Sequence, residues 1–294
     1  MCCPAVRWHA GAETEPMPQT ITSLTNPTVK HLVKLRQRRA RDAQGLLLID
    51  GARALRLALQ QGFPLTALYV AEDTVPRHAD VLHLARTVGV PQHLVSSPVF
   101  HKIGYGDHPD GLLGVAVQPD VTLAALQAAT PALYLVAEGL EKPGNLGAIL
   151  RSADAAGVHG VLICESHTDI WNPNVIRASQ GAFCTVKMAV APAQEVRVWL
   201  RQHQIQILVA TPSATQCYTA SPLWRPSAFV LGAEHTGVST VWQQETAIRI
   251  PMAGQVDSLN VAQTASILIF EAVRQRQQYG LPLQHHDAQG GKTV

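Results

Sequence analysis

The chain has 294 residues, 47% of them hydrophobic and 15% charged, which is enough to bury a sizeable core and long enough for two domains. A net charge of +2 is too small to argue for nucleic acid by itself, and no window approaches the roughly 18 uncharged apolar residues of a membrane helix. Five scattered cysteines without a CxxC pair give no sign of a disulfide framework or a metal site, and Cys164, Cys184 and Cys217 read as small core residues.

Residues 1–18 are expected to form a loose tail. Their sequence, MCCPAVRWHAGAETEP onward, lacks the apolar core of a signal peptide, so a cytoplasmic address is expected. A first α/β domain is expected over 19–118. Its opening helix, NPTVKHLVKLRQRRARD, puts Val29, Leu32, Val33 and Leu35 on one side. Lys30, Lys34, Arg38 and Arg41 would then fall within roughly 80° of one another at 100° per residue. Such a face is often merely solvated, but unbroken positive charge is also what phosphate contacts require, so RNA binding stays open. Strands are predicted at Leu46 to Asp50, Leu68 to Ala71, Gln92 to Val95 and Leu112 to Val117. Helical patterns at Ala52 to Gln61 and Ala79 to Val88 separate them.

Residues 119–131 read as a Pro-bearing linker with one short helical pattern, Leu123 to Ala128. The alternation then restarts over 132–279. Strands are predicted at Leu133 to Ala137, Gly160 to Cys164, Thr185 to Val190, Ile205 to Ala210, Ala228 to Leu231 and Ala247 to Ile250. This pattern implies a mainly parallel sheet covered on both faces. Residues 280–294 read as a second tail, in which Gly291-Lys292-Thr293 imitates the end of a P-loop. The first glycine of that motif would have to stand at His286, so a nucleotide triphosphatase is not indicated.

Ligands in such sheets bind beyond the carboxyl ends of the strands, and three predicted loops there mix glycine, amide, hydroxyl and charge. In the first, Glu138 to Arg151, Gly144 and Gly147 are expected to turn the backbone and Asn145 to cap the next helix. Arg151 lies near the loop edge; the plainer alternative is that Asn145 merely caps and Arg151 merely pairs with Asp154 or Glu138. These glycines do not spell the GxGxxG of a dinucleotide site. In the second, Gly232 to Ser239, Glu234 stands among small residues. In the third, Pro251 ends a strand, Gly254 loosens the backbone, and Ser258 or Asn260 can cap a long apolar helix.

Together these loops resemble the three motifs of the SpoU (TrmH-like) ribose methyltransferases of the SPOUT superfamily. NxGxxxR is legible as Asn145 to Arg151, LGxExxG as Leu231 to Gly237, and IPMxGxxxSLN as Ile250 to Asn260. The first domain resembles the RNA-binding module of that family, with NPxVKxLxxL at Asn26 to Leu35. His235 departs from the pattern, since a glycine is common there.

The resemblance implies a trefoil-knotted α/β domain that works as a homodimer and holds S-adenosylmethionine without a metal. Contacts to it are expected from Gly232, Ile250 and Leu259, with Leu231, Met252 and Ser258 beside them. The implied reaction is methylation of a ribose 2′-hydroxyl in RNA, and the likeness of the first domain to that of rRNA-directed members favours ribosomal RNA over tRNA. Arg151 takes the place of the family's catalytic arginine. A guanidinium gives up its proton reluctantly, so the expected role is to orient the hydroxyl and a nearby RNA phosphate, with base action only where the surroundings draw the proton off. Asn145, Glu234, Ser258 and Asn260 would hold Arg151, the loops and the substrate in place. Two readings from other classes stand beside this one. The presence of Asn145, Arg151 and Glu234 argues against a noncatalytic RNA-binding protein of the same fold. The missing glycine motifs argue against an unrelated nucleotide-binding enzyme.

Overall fold

The structure is a computed structural model and describes residues 20–281, except 107, 108, 130, 166, 167, 234 and 235. Helix α1 (Pro27–Lys34) begins where the Asn26 side chain accepts the Thr28 N–H at 2.8 Å, with proline in the first turn, and it buries Val29 and Leu32. It stops at Leu35, and α2 (Arg38–Gln44) starts afresh. The single opening helix expected from the sequence is therefore two. At the break the Arg41 guanidinium donates to the carbonyls of Leu35 and Arg36 at 2.8 and 2.7 Å, the groups a continuous helix would bond internally.

The next elements are β1 (Leu46–Asp50), α3 (Ala52–Gln60), β2 (Leu65–Ala71), α4 (Ala79–Thr87), β3 (Gln92–Val95), α5 (Ser97–Ile103) and β4 (Leu112–Val117). Their strands form a mixed sheet in the order β1-β4-β2-β3, with β4 antiparallel to both neighbours. A single 3-10 turn, Leu123–Ala125, stands where a longer helix was expected.

The second half runs β5 (Leu133–Glu138), α6 (Pro143–Ala155), β6 (Gly160–Cys164), α7 (Pro173–Ala178), β7 (Met188–Val190), α8 (Ala193–Gln202), β8 (Gln206–Ala210), β9 (Ser227–Leu231), β10 (Thr246–Ile248) and α9 (Val261–Gln278). Every pairing in the sheet, ordered β10-β8-β9-β5-β6-β7, is parallel, and its central strands are buried throughout, as continuous apolar runs predict. Three predicted strands are shorter than expected, β8 only by its first residue. Ala182–Cys184 turns as a 3-10 helix, with the Thr185 hydroxyl bonded to Asp154 and to the Ala182 carbonyl, so β7 starts only at Met188. β10 ends at Ile248, after which Arg249 makes only an isolated bridge to Cys217.

Strand register fixes where the loops emerge. Ala137 lies opposite Leu231, Val209 opposite Val230, and Ala210 opposite Ile248, so the carboxyl ends of β5, β9, β8 and β10 come level. The loops leaving them meet at one edge of the sheet.

The two sheets are not independent bodies. One continuous apolar core takes Leu47, Ile49 and Leu55 from the first half and Leu135, Ile149 and Leu231 from the second. Phe63 meets Phe183 edge to face, with centroids 5.3 Å apart. At Gly181, φ is +98° and a β-carbon would press within 2.9 Å of the Leu57 side chain, so a glycine both permits the turn and lets α3 pack on the second half. Arg41 crosses the same seam to an ion pair with Asp169 and is only 1% exposed. No described helix is long and apolar enough to cross a membrane.

Candidate active site

At the carboxyl ends of β8, β9 and β10 the chain encloses a cavity of about 180 Å³. Leu231, Gly232, Ile250, Met252, Ser258 and Leu259, the residues the sequence nominated for a cofactor, all line it. Ile248, Val261 and Leu268 complete an apolar wall. Sequence reasoning missed Thr211 after β8, Val238, Asp257 and Thr264 on the same lining. Thr211 was within reach of the rule that ligands sit beyond strand ends, because β8 is one of the central parallel strands.

The loop after β9 is folded tightly. Ala233 N–H donates to the Gly237 carbonyl at 3.1 Å, and Gly237 N–H donates back to Ala233 at 3.0 Å. Glu234 and His235 lie outside the described residues, so the role expected of Glu234 stays an expectation. A β-carbon on Gly232 would run into the Gly237 carbonyl and the Val238 nitrogen. Only glycine fits this position. The far end of the loop is held by Glu138, a buried carboxylate at the end of β5 that accepts both the Ser239 N–H and the Ser239 hydroxyl, each at 2.7 Å. These charge-assisted bonds fix the hairpin against the sheet. Burial, then the nearby Glu138 and Glu165, push the Cys164 thiol up to about 12, which leaves it a protonated core residue.

The third loop is joined to the first. Asn260 caps α9 by accepting the Ala262 N–H at 3.0 Å, while its Nδ2 donates to the Asn145 Oδ1 at 3.1 Å. Two turns further along the helices, the hydroxyls of Ser152 on α6 and Ser266 on α9 lie 2.8 Å apart. Asn145 does not cap α6. The helix starts after Lys142, with Pro143 in its first turn, so Asn145 is already inside it and its side chain is available to Asn260. Gly144 and Gly147 are likewise helical. A β-carbon on Gly147 would strike the Ala178 side chain and the Val175 carbonyl, so that glycine sets the distance between α6 and α7.

Arg151 stands elsewhere. It is exposed on α6, six residues beyond Asn145 and therefore about 9 Å further along the axis. It lines a second hollow, of about 260 Å³, shared with Arg53 and Arg56 of α3 and with Asp154, Ser179 and Gln180. This hollow and the cavity at the strand ends have no lining residue in common.

The basic stripe is only partly as expected. Lys30, Lys34 and Arg38 are exposed, with Arg38 weakly paired to Asp42 at 3.3 Å. Arg41 is a correction: it is buried and committed to Asp169 and to backbone carbonyls, so it has no surface left for a phosphate. The break between α1 and α2 resets the helical phase and turns it inward, while Arg39 takes the exposed place. Among the described residues no group of His, Cys, Asp and Glu could hold a metal ion.

The sequence and the fold have counterparts among known proteins. Residues 132–270 match the model of the SpoU rRNA Methylase family, and residues 26–114 match that of the MRM3-like substrate binding domain. The chain is 34% identical over 267 residues to an uncharacterized tRNA/rRNA methyltransferase of Synechocystis sp., covering 87% of this chain and 94% of that protein. A solved RNA 2′-O ribose methyltransferase superposes with a TM-score of 0.77 at 41% identity, covering 88% of this chain and all of the other (100%). The AdoMet-bound rRNA methyltransferase of Sinorhizobium meliloti superposes with a TM-score of 0.79 at 28% identity, covering 87% and 97% of the two chains. Glycine-tight hairpin, asparagine-linked loops and parallel SPOUT-type sheet thus occur in a chain that matches such proteins almost end to end, and it belongs to the SpoU rRNA methylase family.

Proposed function

We propose that the chain transfers a methyl group from S-adenosylmethionine to a ribose 2′-hydroxyl of RNA, with ribosomal RNA as the substrate class. The observation that carries this reading is the convergence of the second and third motifs on one apolar cavity, bonded through Asn260 to the first. The residues fit the proposed group: Leu231, Ile248, Ile250 and Leu268 offer a flat apolar enclosure, and the backbone at Gly232 can approach closely because no side chain intervenes. When bound, the sulfonium supplies an electrophilic methyl, so the protein has only to place and deprotonate a hydroxyl. Glu138 and Asn260 keep the loops in register, which is the positioning that such a transfer needs. Arg151 supplies a fork of donors for the hydroxyl and an adjacent phosphate.

A homodimer belongs to the same reading. Arg151 and the cavity of its own chain share no lining, so a second copy is the natural source of the arginine for each cavity. The outer side of α9, where Phe270 is 47% exposed and Ile267 half-buried, supports such a contact. A trefoil knot is also part of it, supported by β10 returning past β9 to pair with β8. A cytoplasmic location follows from the proposed substrate.

The test is methyl transfer from labelled S-adenosylmethionine to purified ribosomal RNA and to tRNA, followed by mapping of ribose methylation. Label on a base instead of a ribose would overturn the chemistry, and label confined to tRNA would overturn the substrate class. Mixing Arg151→Ala with a cofactor-binding mutant tests the dimer. Random re-pairing should restore roughly a quarter of native activity if active sites are shared between copies, and none if each chain works alone.

A further inference from the structure

The hollow around Arg151 is built from both halves of the chain. Arg53, Arg56 and Gln60 reach it from α3, Arg151 and Asp154 from α6, and Ser179 and Gln180 from the turn after α7. Its charges do not balance internally. Arg56 is taken by Asp80, which accepts from its Nε and Nη2 at 2.9 and 2.5 Å, and Asp154 accepts the Thr185 hydroxyl. Arg53 and Arg151 are both exposed, and neither has an ion-pair partner among the described residues. Asp154 keeps its negative charge, since a neutral hydroxyl does not cancel it, so Arg53 and Arg151 outnumber it by one and the concave wall carries a net positive charge that favours a bound anion. The walls are also held in place. Gln180 and Gly181 both take positive φ, 53° and 98°, and that turn sits directly on Leu57 and Ala54 of α3. A seam locked in this way costs little further entropy when a ligand spans it.

We propose that Arg53 and Arg151 together grip one phosphodiester of the RNA strand in this hollow, so that α3 is a direct part of the substrate site and not only part of a remote tether. The inference rests on the RNA-methyltransferase reading. A planar guanidinium matches a phosphate through paired N–H donors, and two of them can share its two free oxygens, while the Gln60 and Gln180 amides suit the flanking sugar. Arg53 is thereby a positioning residue: it holds the strand against which Arg151 aligns the hydroxyl.

The experiment is fluorescence anisotropy of a short labelled single-stranded RNA across a potassium chloride series. The chain is taken as native protein, Arg53→Gln, Arg151→Gln and the double variant, with inorganic phosphate as competitor. One lost phosphate contact should flatten the log–log salt slope by about 0.7 in Arg53→Gln, and the double variant should lose no more than either single one, because both grip the same group. S-adenosylmethionine affinity and melting temperature should stay native. In methylation assays Arg53→Gln should raise KM for RNA on the order of tenfold, and Arg53→Lys should restore KM more than kcat. An unchanged slope in Arg53→Gln, or losses that add in the double variant, would overturn the shared grip. Millimolar phosphate displacing RNA from the native protein but not from Arg53→Gln would support a common anion site, and failure of phosphate to compete anywhere would overturn it. A native protein that binds S-adenosylmethionine but methylates no RNA would sink the functional reading alone, since the salt-slope comparison still decides the role of Arg53.

Discussion

Replacing Arg41 by alanine separates a structural role from the RNA-binding one that its place in a basic stretch suggests. Its guanidinium is 1% exposed, bonds the Leu35 and Arg36 carbonyls, and pairs with Asp169, whose side chain is 12% exposed. Truncation leaves two carbonyls and a largely buried carboxylate without their partner, and breaking a buried pair in this way costs about 3–5 kcal/mol. Asp169 keeps some contact with water and still accepts the Trp171 N–H at 3.0 Å, which places the expected loss near the lower end, about 3 kcal/mol. With a urea dependence of about 3 kcal/mol per molar, the unfolding midpoint should fall by about 1 M. Trp171, 4% exposed and two residues from Asp169, provides the fluorescence signal. The double variant Arg41→Met, Asp169→Leu should recover most of the loss, because apolar residues of similar size need no partner. A native midpoint in Arg41→Ala, accompanied by a flatter salt dependence of RNA binding, would refute this account and return Arg41 to the phosphate-binding surface.

Arg151→Lys should behave like Arg151→Ala, with cofactor affinity unchanged and single-turnover methyl transfer slowed on the order of a hundredfold, since an ammonium cannot reproduce the fork; near-native transfer by the lysine variant would reject the fork. Gly232→Ala should abolish S-adenosylmethionine binding in calorimetry because its β-carbon forces the Gly237 backbone aside, whereas Gly254→Ala, with open space at that position, should bind normally. Burial holds the Asp50 carboxyl above its ordinary 3.8, opposed by the Tyr105 N–H and by Arg177 and Arg36. Between 3.8 and that raised value the native chain binds more protons than the unfolded one, so this group's contribution to stability falls as pH rises through the window and the cost is full at pH 7. Asp50→Asn keeps an acceptor for the Tyr105 N–H, 2.7 Å away, so its urea midpoint at pH 7 should equal or exceed the native one, and the difference should vanish as pH falls toward 3.8; a lower midpoint at pH 7 would show that Arg177 and Arg36 outweigh burial.

The central strands were legible because a parallel sheet buried on both faces leaves unbroken apolar runs such as LYLVA at Leu133 to Ala137. Residues of the second and third motifs were legible because a hairpin that admits no β-carbon and a helix cap each demand particular residue types locally. What stayed hidden depends on partners far away in the chain. Nothing near Arg41 announces Asp169, and without that pair a run of basic residues reads as one continuous helix face. Asn145 looked like a cap because its true partner, Asn260, lies more than a hundred residues on. The hollow around Arg151 was invisible for the same reason, since half its wall comes from α3.

The apolar core common to both sheets also limits how this molecule can move. Two-domain enzymes often admit substrate by swinging one lobe on a hinge, which requires an interface that parts at small cost. Here, opening the seam would expose Phe183 and Leu57 and break the Arg41 pair, so the lobes act as one rigid block. Access to the cavity then falls to short segments, and among the described residues the stretch from Pro251 to Leu259, whose Val256 is 65% exposed, is one on the cavity rim. Movement at the cavity rim is thereby separable from the hollow around Arg151, since residues of the stretch from Pro251 to Leu259 line the first and none lines the second.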